Sequence, residues 1–297
     1  MHPAYSVIFF TVASGAGFGL LGIAAIALLL GAEPSLLSGV LALALIGGGT
    51  LSSTFHLGRP ERAWRAFSQG RSSWLSREGI LAAATVPVCL WFFAALYWQW
   101  VLAMFAAVVA LLLAVATVVA TAMIYATIKP VRQWRDPWVV PGYLAGAFAS
   151  GAAVWAALDA GVAGRVAALV ALAAWAAVKL FYWRSIDRPQ TGPDIGSATG
   201  LGKLGTVRPL DPPHTEENYL QREMGFRIAR KHAARLRRLA LLLGAIVPGL
   251  LLLVSFLVTP FAIIAALSAL IGLLVERWLF FAEARHTVML YYGTNVV

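Results

Sequence analysis

The sequence predicts an all-α, polytopic integral membrane protein of eight transmembrane helices, and three observations predict it. Of the 297 residues, 60% are hydrophobic, well above the apolar share of soluble domains. Apolar runs near the roughly 20 residues needed to cross ~30 Å of hydrocarbon recur along the chain. The 23 lysines and arginines gather in alternate connections between those runs, as the positive-inside rule describes. The chain reads as one membrane domain, 1–297, with a long polar tract at 184–238.

The first span is expected at 5–30. Met1-His2-Pro3 carries no basic lead, and the run is too long for the core of a signal peptide, so it counts as a true span. Gly15, Gly17, Gly19 and Gly22 along it would let another helix come close. The second span, 37–56, ends in His56. An arginine-laden connection follows, His56-Leu57-Gly58-Arg59-Pro60-Glu61-Arg62-Ala63-Trp64, and it closes with Ser76-Arg77-Glu78-Gly79. The apolar stretch from Ile80 to Ile128 is too long for one crossing, since about 50 residues extend roughly 75 Å as helix. Tyr97-Trp98-Gln99-Trp100, rich in residues that prefer the interface, divides it into spans at 79–98 and 101–128.

Spans at 138–159 and 166–183 come next, before the polar tract. Pro189–Pro213 is rich in glycine and proline and reads as a loop. Its Gly200-Leu201-Gly202-Lys203-Leu204-Gly205 matches G-x-G-x-x-G, but no strand precedes it and no helix follows, so it is no dinucleotide site. Thr215 is positioned to cap a helix, with Glu216 and Glu217 in its first turn. Arg227, Arg230, Lys231, Arg235, Arg237 and Arg238 then make a basic juxtamembrane helix. Thr259-Pro260 separates the last two spans, 239–258 and 261–281.

Among the basic residues only Arg165 lies in a connection on the opposite side. The loops after spans two, four and six, and both termini, are therefore expected to face the cytoplasm. The net charge of +10 is then a topology signal, and an attraction for anionic lipid or an acidic partner. Basic residues that hug the membrane in this way speak against nucleic-acid binding. One cysteine, Cys89, sits inside span three, too few thiolates for an iron–sulfur cluster. Membrane haem wants histidines on facing helices, and only His56 and His286 lie near span ends. No haem, iron–sulfur cluster or metal site is expected in this chain; in an electron-transfer role the metals would belong to partner subunits.

His56 ends one span and Glu78 begins the next, so a helical hairpin would bring both to one depth at the lipid edge. A quinol site must hydrogen-bond two ring oxygens and offer a base near the working pH. Histidine suits both tasks, and a carboxylate stripped of part of its water is a workable proton carrier. Arg59 or Arg77 is available to tune the charge. The bland alternative stays open: Ser76 caps span three, Glu78 complements its dipole, and His56 bonds a backbone carbonyl. Glu276, one turn inside the end of span eight, is expected to pair with an arginine of a neighbouring helix, and Glu283 lies seven residues on along the same face. A transporter or channel would need ionisable groups near mid-membrane and broken spans. The span interiors are nearly free of charge, with Asp159 and Lys179 near ends. A purely structural anchor is the remaining alternative.

At these residues the sequence resembles the membrane-anchor subunit of dimethyl-sulfoxide reductase, the DmsC family. The resemblance runs through His56-Leu57-Gly58-Arg59-Pro60-Glu61-Arg62-Ala63 and Leu75-Ser76-Arg77-Glu78, with a weaker echo at Glu276 and His286-Thr287-Val288-Met289. It covers nearly the whole chain apart from Pro189–Arg230. It implies a haem-free anchor in the bacterial inner membrane, exchanging electrons between membrane quinone and an iron–sulfur subunit that serves a molybdopterin catalytic subunit. It also implies that His56 and Glu78 form the quinol site. In the best-known members that pair faces away from the cytoplasm, whereas here its loop is among the most basic and should face inward. This looks like related anchors serving cytoplasmic sulfite-oxidising molybdoenzymes, where electrons run toward quinone.

Overall fold

The computed structural model describes residues 3–158, 161–188, 194–211, 216, 218–224 and 228–292. Among these, eight helical stretches are long and apolar enough to cross a membrane. Six are single helices: α1 (Tyr5–Leu29), α3 (Trp74–Tyr97), α4 (Ala103–Ala126), α5 (Val139–Leu158), α6 (Val162–Ile186) and α11 (Phe261–Ala282). The second span is α2 (Leu36–Ser52), drawn out by a 3-10 turn, Ser53–His56. The seventh joins α9 (Ile228–Leu241) to α10 (Val247–Ser255) through a π-helical turn, Leu242–Ile246. Two short helices, α7 (Ile195–Thr199) and α8 (Tyr219–Met224), lie in the polar tract.

α1 and α5 form the centre. α1 packs against α2, α4, α5 and α11, while α3 leans on α4, α6 on α5 and α10 on α11. The two central helices meet backbone to backbone. A Cβ at Gly19 would stand 1.8 Å from the Ala147 carbonyl oxygen, and one at Gly151 would stand 2.2 Å from the Gly19 carbonyl carbon. Small residues that permit such approach drive helix association where lipid offers no hydrophobic gain. A second close crossing joins Gly244, in the π turn, to Gly272 of α11, where an added Cβ would lie 2.1 Å from the Gly244 nitrogen. The extra residue of a π turn re-aims a helix without breaking it.

Three boundaries differ from the expected ones. α6 starts at Val162, not at 166, so Arg165 is buried inside the helix and does not lie in a connection. α3 starts at Trp74, not at 79, because Ser73 is the cap: its hydroxyl accepts from the Ser76 amide at 3.5 Å. Ser76 and Glu78 therefore lie inside the helix, and Glu78 is past the first turn. The seventh span begins at Lys231, so the basic juxtamembrane helix and the span expected at 239–258 form one continuous helix. The expected cap Thr215 lies outside the described residues. α8 is instead capped by Asn218, whose side chain accepts from the Gln221 amide at 3.0 Å while Gln221 accepts from the Asn218 amide at 2.9 Å. The Gly200–Gly205 loop contains a 3-10 turn at Leu201–Lys203 between α7 and irregular chain. Among the described residues no strand precedes it, whereas a dinucleotide site requires one.

The turn from α3 to α4 passes through Gln99 at φ 53, an uncommon left-handed setting for a non-glycine residue, and Trp98 stacks on Trp100 at 5.6 Å. On the other face the chain ties itself down. Ser52 Oγ donates to the Ser6 carbonyl at 2.9 Å. The Thr287 amide donates to the Pro130 carbonyl at 3.0 Å, beside a bridge from Val131 to His286. Eight antiparallel crossings put the N-terminal end, the connections after α2, α4 and α6, and the residues after α11 on that one face.

Candidate functional site

Glu78 sits four residues inside the first residue of α3 and is only 6% exposed. Its carboxyl turns toward α4, where Thr121 Oγ1 donates to Glu78 Oε1 at 2.5 Å. Thr121 Oγ1 also lies 3.0 Å from the Thr117 carbonyl. One hydroxyl proton thus faces two acceptors, and the arrangement accommodates two protonation states. With Glu78 ionised, Thr121 donates to it. With Glu78 protonated, the acid donates to Thr121, and Thr121 donates to Thr117. No hydrogen bond is lost between the two, so taking up a proton leaves no buried donor unsatisfied. A helix-dipole role does not account for a carboxyl set this deep and aimed across the helix.

The other expected site residues are held differently. Arg77 turns back onto the loop: Nε donates to the Gly70 carbonyl at 2.9 Å, Nη2 to the Arg71 carbonyl at 2.7 Å, and the guanidinium covers Trp74 at 4.3 Å. It braces the connection and does not accompany the Glu78 carboxyl. Arg59 stands exposed just ahead of the 3-10 helix Pro60–Phe67. His56 closes the turn after α2; its side chain lies outside the described residues. Phe55, Trp64 and Phe67 around this connection are exposed, Phe55 at 84%.

A second group of charged side chains lies six to seven residues inside the ends of α11 and α6, and sequence reasoning found only part of it. Glu276 Oε1 is 2.5 Å from Lys179 Nζ, and Glu276 Oε2 is 2.8 Å from Arg277 Nε. All three residues are buried. The expected partner was an arginine on a neighbouring helix. The neighbour supplies a lysine instead, and the arginine is the next residue of the same helix. Lys179, expected near a span end, is seven residues inside the end of α6 and fully enclosed. Its ammonium lies over the Tyr182 ring at 4.1 Å. The Arg277 guanidinium stacks on Tyr143 of α5 at 4.0 Å. The adjacent Glu276-Arg277 in an apolar span was the one visible signal, since ionisable residues at membrane depth are expensive and mark function or pairing.

Between Glu78 and this ion cluster lies a cavity of about 20 Å³, lined by Thr11, Ser14, Thr121, Tyr143, Ser150 and Arg277 among others. It has the volume and the polar partners for one water molecule. Nearer the face, Tyr125, Trp134, Tyr143, Phe280 and Phe281 interlock with ring centroids 5.3–5.9 Å apart, and Trp134 Nε1 donates to the Phe280 carbonyl at 3.0 Å. Where α6 and α11 end, Arg237 of α9 binds Asp187 through two nitrogens at 2.5 and 3.0 Å, and Glu283 at 2.9 Å. Burial pushes the Glu283 carboxyl above the usual carboxylate range, with Arg237 opposing the shift.

Among the described residues no three His, Cys, Asp or Glu side chains group as a metal site would require. The arrangement is one of buried acids, hydroxyls and paired charges inside a helical bundle. Along nearly its whole length the chain is similar to one subunit, the C component, of the sulfite dehydrogenase of Allochromatium vinosum. The two are 33% identical over 323 aligned positions that cover 98% of this chain and 99% of the relative. The family model of the DMSO reductase anchor subunit matches residues 1–293. With eight spans, no strand among the described residues and a match from end to end, the chain belongs to the DMSO reductase anchor subunit (DmsC) family.

Proposed function

We propose that this chain is the quinone-reactive anchor of a sulfite-oxidising molybdoenzyme complex. A molybdopterin subunit oxidises sulfite, an iron–sulfur subunit passes the electrons on, and this chain delivers them to membrane quinone. The observation that carries the reading is the near-complete alignment with a subunit of a sulfite dehydrogenase. The chemistry of Glu78 supports the quinone end of it. Reducing a quinone consumes two electrons and two protons. A carboxyl that keeps all its hydrogen bonds in both protonation states suits the delivery of one of them.

His56 binds the second ring oxygen in this reading, and the exposed Phe55, Trp64 and Phe67 offer the apolar wall that a headgroup arriving from lipid needs. Arg59 adds positive charge at the mouth, and Arg77 fixes the loop. The basic connections mark the cytoplasmic side of the inner membrane, so the iron–sulfur subunit docks there, over the quinone site, with the molybdopterin subunit beyond it.

The test is the purified complex assayed for sulfite-dependent reduction of a soluble quinone. Glu78→Gln should cut turnover at least tenfold while the subunits still copurify. A complex that holds no molybdopterin subunit, or an assembled Glu78→Gln complex with unchanged turnover, would reject the reading.

A further inference from the structure

We propose that the buried polar row from Glu78 through Thr121, Tyr143 and Glu276 to Lys179 is a proton route lying in the plane of the membrane, with one cavity water joining Thr121 to Tyr143. The proposal rests on the reading of Glu78 as the quinone-site acid, and adds where its protons come from.

Depth is the first argument. Glu78 and Tyr143 each lie four residues inside the start of their helices, Thr121 five from the end of α4, Glu276 six from the end of α11 and Lys179 seven from the end of α6. All five helix ends are on one face, so at 1.5 Å per residue the row sits some 6–10 Å inside it. It runs sideways across the bundle.

The second argument is unspent hydrogen-bonding capacity. Tyr143 Oη and Arg277 Nη1 are buried and make no well-directed hydrogen bond among the described residues, although the guanidinium packs on the Tyr143 ring at 4.0 Å and Tyr125 stacks beside it. Tyr143 and Arg277 are only 6% and 5% exposed, and both line the cavity that Thr121 also lines. Buried polar groups are seldom left unpaired, and a water here would bond Tyr143, Arg277 and Thr121 together. The third argument is the aromatic layer of Tyr125, Trp134, Phe280 and Phe281, which closes the short way from the cavity to the face. A proton leaves or enters at the α6 end. There Tyr182 Oη donates to the Gln133 carbonyl at 3.2 Å. Arg237 joins Glu283 to Asp187 there, and Asp187 opens to solvent at 57% side-chain exposure.

During quinone reduction the two electrons come from the iron–sulfur subunit, and Glu78 gives one proton to a ring oxygen as it ionises. The refilling proton moves as a relay. Each hydroxyl or water on the row gives its proton forward and accepts one from behind, so Thr121 and Tyr143 end as they began. Between Glu276 and Tyr143 a water must carry the proton past Arg277, which packs on the Tyr143 ring. Lys179 and Glu276 hold the proton at the supply end. Arg277 stays charged throughout, because a guanidinium does not give up its proton, and it keeps Glu276 from becoming an isolated anion. Quinol oxidation would run the same steps backwards.

The experiment uses the assembled complex, with turnover in H₂O and D₂O and the binding of a fluorescent hydroxyquinoline N-oxide, a quinol analogue, as readouts. Tyr143→Phe removes the hydroxyl and keeps the ring. The pair Glu276→Gln with Lys179→Gln removes both ends of an ion pair and leaves the net charge unchanged. In each, turnover should fall at least fivefold and the solvent isotope effect should rise, while the analogue's Kd stays within twofold. Turnover and isotope effect within twofold of wild type in both variants would make the row a structural feature only. Analogue binding and turnover both untouched by Glu78→Gln would instead remove the quinone site, and the route with it.

Discussion

Lys179 Nζ lies 2.5 Å from Glu276 Oε1, and both side chains are sealed inside the bundle at 3% and 1% exposure. Arg277 flanks the same carboxylate at 2.8 Å, so one anion faces two cations. Removing one partner from a buried pair leaves an uncompensated charge, at a cost of about 3–5 kcal/mol. Glu276→Gln should therefore be the more damaging change, since it strands both cations. Lys179→Met leaves Arg277 to hold the carboxylate and should cost less. Chemical unfolding in mixed micelles would rank them, and an equal or inverted order would mean that Arg277 contributes little.

The contact of α1 with α5 allows no side chain. With a Cβ at Gly19 placed 1.8 Å from a backbone oxygen, Gly19→Val should separate the central helices and cost about 3 kcal/mol or more. Gly48 on α2 has nothing within 4 Å of an added Cβ. Gly48→Ala should be neutral, or stabilising by up to about 1 kcal/mol, because alanine loses less backbone entropy in a helix. The amount of folded protein recovered in the membrane fraction distinguishes the two.

His286 gives the residues after α11 a pH response. Its Nδ1 accepts from the Val288 amide at 3.0 Å, and burial holds its pKa below the ordinary histidine value. The folded turn thus prefers the neutral ring. Its stability is full above the ordinary value of about 6.5, and is lost as pH falls through the lowered folded value. Protection of the Val288 amide from hydrogen exchange, corrected for the intrinsic rate, should drop between about pH 7 and pH 5. In His286→Gln it should be weaker and independent of pH over that range.

Partner docking predicts a sided crosslinking pattern. Arg62 and Arg71 are exposed on the face that carries the basic connections, and crosslinkers there should capture the iron–sulfur subunit. Arg165 is unsuitable as the opposite-side control, because it is 8% exposed with its guanidinium 5.4 Å over Phe256. Glu33, exposed in the connection after α1, serves instead. Reporter fusions after Glu33, Tyr97 and Gly161 should read outside, and those after Gln69, Arg135 and Gly200 inside. Capture from Glu33 alone would invert the orientation.

The span count was readable because membrane depth sets helix length and because Tyr97–Trp100 and Thr259-Pro260 interrupt long apolar runs. The inward aim of Glu78 was not. Ser73 and Ser76 are both good caps, and the choice between them moves the helix start by several residues. α3 is also apolar on every side, so its pattern does not fix which face looks inward. Glu276-Arg277 announced itself as a charged pair in an apolar span. Lys179, Tyr143 and Thr121 could not be assigned to it, because the sequence does not say which helices are neighbours. The hydroxyl of Thr121 in particular is one of several threonines that bond to their own helix in such spans, as Thr117 does to Leu113.

The similar depth of Glu78, Tyr143, Glu276 and Lys179 has an electrical consequence for the proposed route. A charge that crosses the whole bilayer does about 2.3 kcal/mol of work per 100 mV of membrane potential. A proton that enters from the basic face and travels sideways crosses only a small part of that drop. Quinone chemistry fed in this way is close to electroneutral, so the complex would neither charge the membrane strongly nor be stalled by a charged one. On this route the membrane potential sets little of the rate.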